Sequence, residues 1–192
     1  LKTVASTTLI RGSGFTNSGE ITGAGTIDVG TSTLINSGTI RPGGAGITGT
    51  MTVVGTLSLG STSLLEIDMS GTGYDVLNVT GASTVGGTLS TNLLGLYTPS
   101  VNQSFDVLST PGTLTGSFAA VSPSSGFNGA IIPGTTSPSV YRLTYTGASC
   151  PANTLCWDGG AGNGVAAINA AGTNVHDRPD ERAFLSRLQL SF

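Results

Sequence analysis

The segment Phe15-Thr16-Asn17-Ser18-Gly19-Glu20-Ile21 returns as Leu34-Ile35-Asn36-Ser37-Gly38-Thr39-Ile40, 19 residues further along the chain. Both copies place apolar residues on either side of an Asn-Ser-Gly turn. Periods of about 20 residues, made of short strands and tight turns, are typical of solenoid proteins, in which each repeat completes its core by stacking on the next. The repeat therefore predicts a stack of short parallel strands.

The composition of the chain favours the same class of fold. The chain has 192 residues, which suits one domain, or one domain and a tail. It contains 30 glycines, and only 9% of its residues are charged. Glycine and threonine are poor in helix interiors, so a helical bundle is excluded, and a mean hydropathy of +0.23 argues against disorder. We expect an all-β protein.

Alternating side chains assign the faces of the predicted strands. Leu65, Ile67 and Met69 alternate with Glu66 and Asp68. Successive side chains of a strand point to opposite faces, so the apolar residues are expected inside and the two carboxylates on a solvated outer face. Residues 56–59 and 77–79 alternate in the same way and place Leu57, Leu59, Leu77 and Val79 inside. Together these patterns predict a parallel β-helix of about five to seven coils over residues 1–148.

The C-terminal part of the chain differs from the repeat. Residues 122–138 are rich in Pro, Ser and Gly, which indicates loops, whereas residues 140–145 alternate like one more strand. Residues 149–192 are expected to form an appended loop and tail. The charged segment 173–192 has two interpretations: a short capping helix that begins near Pro179, or a segment that is not native to the repeat.

Several segments resemble a known class of bacterial surface proteins. These are Asn36-Ser37-Gly38-Thr39-Ile40-Arg41-Pro42-Gly43, Gly55-Thr56-Leu57-Ser58-Leu59-Gly60 and Gly73-Tyr74-Asp75-Val76-Leu77-Asn78-Val79-Thr80-Gly81. Over roughly residues 15–147 the chain resembles the passenger domains of autotransporters, with their autotransporter-associated β-strand repeats. The resemblance implies a right-handed, three-sided parallel β-helix and a location outside the bacterial cell, at the cell surface.

Three carboxylates are the candidate catalytic residues. Residues two apart on a strand have Cα atoms about 6.5–7 Å apart, which suits Glu66 and Asp68 to the carboxyl separations of glycosidases. Asp75 is expected nearby, across a turn. A general acid among them would need a pKa raised by burial or by a neighbouring charge. The alternative is a solvated outer face that carries surface acids without chemistry.

Neither a cofactor nor a metal is expected. Two cysteines cannot complete a four-ligand zinc site, so Cys150 and Cys156 are candidates for a small disulfide loop, with free thiols as the alternative. The segment Gly44–Gly49 matches the dinucleotide-binding pattern of glycines. Strand-like sequence follows it, however, so it lacks the helix N-terminus that binds the phosphates.

The sequence indicates function mainly by what it excludes. A net charge of −3 with seven Lys and Arg makes nucleic acid a poor partner, and no apolar run reaches the length of a membrane-spanning helix. We expect a structural or adhesive segment that contacts glycans or neighbouring surface proteins; the rival hypothesis is a polysaccharide-active hydrolase or lyase. An uncovered N-terminal coil predicts a monomer, or a dimer through that coil.

Overall fold

The computed structural model of the chain describes residues 1–3, 7–122, 126–135, 138–147, 155–157 and 166–168. Contacts divide the chain into two units, Leu1–Gly147 and Ala148–Phe192. The described residues of the first unit form strands, turns and bends, and none of them lies in a helix. The prediction of an all-β fold is confirmed for the described part of the chain.

The first unit contains seventeen strands within its described residues. In chain order they are β1 (Lys2–Thr3), β2 (Thr8–Ile10), β3 (Phe15–Asn17), β4 (Glu20–Gly23), β5 (Thr26–Asn36), β6 (Thr39–Pro42), β7 (Thr50–Leu59), β8 (Leu64–Ser70), β9 (Gly73–Tyr74), β10 (Val76–Val79), β11 (Ser83–Val85), β12 (Thr88–Leu93), β13 (Ser104–Thr110), β14 (Leu114–Gly116), β15 (Ala120–Ser122), β16 (Phe127–Ile132) and β17 (Ser139–Tyr145).

Most of these strands pair in parallel with strands one repeat away. In the first sheet the order is β1, β4, β6, β8, β12 and β15. In the second sheet the long strands β5 and β7 each contribute two halves. Their first halves pair within the series β2, β5, β7, β10 and β13, and their second halves within the series β3, β5, β7, β11 and β14. The expected parallel character is therefore confirmed.

The register of these pairs aligns apolar side chains across neighbouring strands. Ile21 lies opposite Ile40, Ile40 opposite Leu65, and Leu65 opposite Leu89, and all four are fully buried. Strand β7 shows the underlying alternation, because every second residue from Met51 to Leu59 is buried while the residues between them stay partly exposed. The inward positions expected for Leu57, Leu59, Leu77 and Val79 are confirmed.

The last strands of the unit run differently. Strand β17 pairs antiparallel with both β13 and β16, so the second sheet is mixed, and β9 forms an antiparallel hairpin with β8 in the first sheet. The expectation of loops throughout residues 122–138 is wrong for β16. Phe127 of this strand is buried against the rings of Phe105 and Tyr145, and that packing outweighs the surrounding Gly and Ser.

In the second unit the described residues form one antiparallel pair, β18 (Leu155–Trp157) with β19 (Ala166–Ile168). The capping helix or non-native segment predicted for residues 173–192 lies outside the described residues. The roles predicted for the tail therefore stay predictions.

Candidate functional site

Strand β8 and the hairpin that follows it bring the three predicted carboxylates together. Glu66 and Asp68 lie on β8, and β9 turns back along this strand. The backbone nitrogen of Asp75 donates a hydrogen bond to the carbonyl oxygen of Asp68 at 2.9 Å. The expected proximity of Asp75 to the pair is therefore confirmed, and its cause is a tight hairpin.

Glu66 is held in an ion pair. The guanidinium of Arg41, on the neighbouring strand β6, contacts the Glu66 carboxylate through two of its nitrogens. Arg41 also reaches Glu20 on β4, with Nη1 2.9 Å from Oε1. One arginine thus bridges acids on the strands at either side of it, so Glu66 is partnered rather than freely solvated.

Asp68 is not on a solvated face, contrary to the expectation from alternation. Its side chain points away from the apolar core, but the residue is only 4% exposed. The backbone nitrogen of Gly46 donates to Oδ2 at 2.7 Å, and Nδ2 of Asn92 donates to Oδ1 at 2.8 Å. The cover comes from residues 43–49, which form the connection between β6 and β7 and are called the 43–49 loop below.

Asp75 lies deeper than either of the other two acids and has no exposed surface. Its Oδ1 accepts a hydrogen bond from the Gly49 backbone nitrogen at 2.7 Å, and its Oδ2 accepts one from the Asp68 backbone nitrogen at 2.9 Å. Burial raises the pKa of Asp75 to about 7, although these two hydrogen bonds lower it. The nearby charge of Asp68 raises this pKa further, and Arg41 lowers it.

A cleft of about 160 Å³ opens beside this cluster. The side chains of Arg41, Glu66, Asp68, Ser90 and Asn92 line it, and the 43–49 loop forms one wall with Ala45 and Gly46. Asp75 does not line the cleft. The acid whose pKa suits proton transfer near neutral pH is therefore separated from the space where a substrate would bind.

The chemistry of the cleft follows from how its acids are engaged. A glycosidase needs one carboxyl group to donate a proton and a second to act as base or nucleophile. Here Glu66 is neutralised by Arg41, and both carboxylate oxygens of Asp68 accept hydrogen bonds from the protein. The arrangement stabilises the fold locally. It leaves neither acid free to act as the proton donor or as the base or nucleophile.

Sequence reasoning missed the partners of these acids. Asn92 is the register partner of Asp68 on β12, and Arg41 is adjacent to Glu66 across β6 and β8. The repeat offset of 19 residues would not have found either pair, because the step lengthens to 25 between Thr39 and Leu64. Aligning Ile40 with Leu65 as equivalent core positions was the signal that could have placed Arg41 beside Glu66.

The other predicted site features have limited structural description. Cys150 lies outside the described residues, and only the backbone of Cys156, in β18, is described, so the disulfide stays a prediction. Within the described ranges no group of three or more His, Cys, Asp or Glu is placed to hold a metal ion. The same residues contain no helix that is both long and apolar enough to cross a membrane.

Comparison of the chain with protein-family models and with curated proteins finds no match.

Proposed function

We propose that this chain is a structural and adhesive segment of a large secreted bacterial surface protein, with no chemistry of its own. The observation that carries the proposal is the engagement of its candidate catalytic acids. Arg41 neutralises Glu66, two donors satisfy Asp68, and Asp75 is fully buried. Each acid is engaged by neighbouring strands or by the 43–49 loop, which fits a structural role.

The finer architecture proposed for this segment is a right-handed parallel β-helix. Support comes from six successive parallel strands in the first sheet, an order that fits the five to seven coils expected. The second sheet repeats the same order twice, once for each half of β5 and β7. Stacking of this kind gives a rigid rod in which each repeat contacts its neighbours, so length is gained by adding repeats.

The adhesive part of the proposal rests on the outer face of the strands. Along β7 the outward residues Thr52, Thr56 and Ser58 are partly exposed, and on neighbouring strands Thr84 and Thr115 place their hydroxyl oxygens 3.3 Å apart. Hydroxyl groups at regular spacing offer many weak hydrogen bonds to an extended partner. Glycans or the strands of neighbouring surface proteins have the complementary groups. The resemblance to autotransporter passenger domains, on residues 15–147, agrees with a location outside the cell.

The rival hypothesis, a polysaccharide-active hydrolase or lyase, has one specific observation in its favour. Glu66 and Asp68 both line the 160 Å³ cleft, on the side of β8 that faces away from the core. For catalysis, Glu66 would have to leave Arg41, or Asp68 would have to exchange its donors for substrate. Each exchange would leave a partner of the acid unsatisfied.

A cleavage screen tests the proposal. The purified chain and the variants Glu66→Gln and Asp68→Asn are incubated with a panel of polysaccharides, and new reducing ends and unsaturated products are measured. Asp106→Asn is the matched control, because Asp106 is also paired with an arginine, Arg142, with Oδ1 2.6 Å from Nε. We expect no cleavage by any of the four proteins.

Cleavage by the wild type that is lost in Glu66→Gln or Asp68→Asn, and kept in Asp106→Asn, would overturn the proposal in favour of the enzyme. The adhesive function is measured separately, by retention of the same proteins on surfaces coated with each polysaccharide. We expect retention that is unchanged by all three substitutions, since the proposed contacts are the outward hydroxyls. Loss of retention in the Glu66 or Asp68 variant alone would place binding in the cleft instead.

A further inference from the structure

The 43–49 loop is attached to the body of the protein through two buried acids. Backbone Gly46 donates to Asp68 and backbone Gly49 donates to Asp75, each at 2.7 Å. Both acceptor residues are at least nine-tenths buried. A carboxyl oxygen accepts a backbone hydrogen bond in either protonation state, but the charged form also carries the cost of burial. The middle and the end of the loop are therefore each fixed by one acid.

The loop makes its own tight turns and is exposed at its tip. Gly43, Gly44 and Gly46 all have positive φ, at 77°, 111° and 71°, and a hydrogen bond from Ile47 to Gly44 forms within the loop. Ile47 at its tip is 64% exposed. Little apolar surface is buried by such a segment, so hydrogen bonds are what hold it closed. Besides the bonds to the two acids, these are the backbone bonds at its ends, from Gly43 to Gly23 and from Val76 to Gly49.

We propose that the 43–49 loop is a proton-sensitive lid over the cleft, held closed by the carboxyl groups of Asp68 and Asp75. When the lid opens, Ala45 and Gly46 leave the wall of the cleft and both acids meet water. This inference does not depend on the proposed function, because it concerns the equilibrium of the loop alone.

The charged and titratable groups around Asp75 set the direction of the response. Asp68 acts on it from β8 and Arg41 from β6, while the loop carries no titratable side chain. In the closed lid, burial holds the pKa of Asp75 near 7; in the open lid, water returns it toward 3.8. The neutral acid therefore favours the closed lid, and the charged acid favours the open one.

The sign and size of the pH effect follow from linkage. The closed lid is most stable below about pH 4 and loses stability as the pH rises toward 7, after which the effect is constant. A difference of about three units between the two pKa values lowers the ratio of closed to open lid by up to about 1000-fold.

Amide hydrogen exchange, measured on the full chain by NMR between pH 4 and pH 8, tests the lid. The readout is the ratio of the protection factors of Gly46 and Gly49 at each pH to their values at pH 4. The amide of Thr52, which bonds to Gly25 in the body of the sheets, reports global unfolding and should stay better protected than either glycine. Protection factors already divide out the intrinsic pH dependence of exchange. We expect the ratio to fall steeply up to pH 7 and then level.

Two variants make the test specific. Asp75→Asn removes the titrating group, so the ratio should become independent of pH. Asp68→Asn keeps an acceptor for Gly46 but removes the charge that raises the pKa of Asp75, so the fall should be smaller than in the wild type. Retained protection of Thr52 shows that each variant is folded. A flat ratio in the wild type, or the same fall in Asp75→Asn, would overturn the proposal.

Discussion

Asn17 donates a hydrogen bond from Nδ2 to Oδ1 of Asn36 at 2.7 Å, across the 19 residues that separate the two copies of the Asn-Ser-Gly turn. Asn36 in turn donates to the carbonyl oxygen of Gly38 at 2.8 Å and is fully buried. Equivalent turns in successive repeats are thus joined by their side chains, and a buried amide is satisfied by the repeat itself.

Replacing Asn36 with alanine should destabilise the first unit by about 1–3 kcal/mol, because the carbonyl of Gly38 and the side chain of Asn17 lose a partner. Asn78→Ala is the control, since Asn78 faces outward on β10 and is partly exposed. Its effect should stay within about 0.5 kcal/mol. Urea unfolding measures both. Equal losses in the two variants would show that the Asn17–Asn36 contact contributes nothing.

Gly55, in the middle of β7, should tolerate no side chain. Its φ is +124°, and an added Cβ would lie 2.5 Å from Cγ2 of Val29 and 2.9 Å from the carbonyl oxygen of Gly30. Gly55→Ala should therefore cost about 3 kcal/mol or more, from backbone strain and overpacking together.

Gly12 separates these two contributions. It also has positive φ, at +66°, but an added Cβ there would meet nothing within 4 Å. Gly12→Ala should cost only the backbone strain, about 1 kcal/mol. Thermal unfolding of both variants gives the comparison, and a Gly12→Ala protein as unstable as Gly55→Ala would refute the steric explanation.

Substitutions on the inner and outer faces of strand β8 should have very different effects on stability. Ile67→Asp places an unpaired charge at a fully buried position and should abolish cooperative folding. Glu66→Ala removes a partly exposed ion pair with Arg41, which should cost no more than about 1 kcal/mol. Circular dichroism with urea titration distinguishes the two outcomes. A folded Ile67→Asp protein would contradict the assignment of the inner face.

The pH dependence of stability should reflect the titration of Asp75. Its folded pKa of about 7 exceeds the ordinary value of 3.8, so its stabilising effect is complete below about pH 4 and is lost as the pH rises to 7. Relative to Asp75→Asn, the wild type should lose up to about 4 kcal/mol of unfolding free energy across that range. Parallel pH profiles for the two proteins would show that burial does not shift this acid.

Local patterns in the sequence predicted much of the fold, whereas the cover of the site depended on distant residues. Alternation placed Leu65, Ile67 and Met69 in the core correctly. It could not show that the 43–49 loop folds over Asp68, because that contact depends on a connection 22 residues away. Burial of Asp75 was hidden for the same reason.

The unequal length of the repeat explains why the partners of Glu66 and Asp68 were not predicted. Register steps in the first sheet are 19 residues between Glu20 and Thr39, 25 between Thr39 and Leu64, and 24 between Leu64 and Thr88. The extra residues form connections, and connections tolerate insertion with little thermodynamic cost. A fixed period therefore aligned the first two repeats and lost the partners of the later ones.

Removal of one whole repeat tests most directly whether the chain is a stack of equivalent structural units. Leu64 and Thr88 are register partners, so deleting residues 64–87 joins Ser63 to Thr88 and brings β12 opposite β6. The deletion also removes Glu66, Asp68 and Asp75. Deleting only residues 64–75 interrupts the first sheet and is the matched control.

Urea unfolding followed by circular dichroism is the measurement. We expect the protein without residues 64–87 to unfold still in one cooperative transition, with a denaturant dependence of the unfolding free energy lower by about one-sixth. The protein without residues 64–75 should not fold. If the two deletions are equally unfolded, the repeats are not interchangeable and the proposed stacked stalk is contradicted.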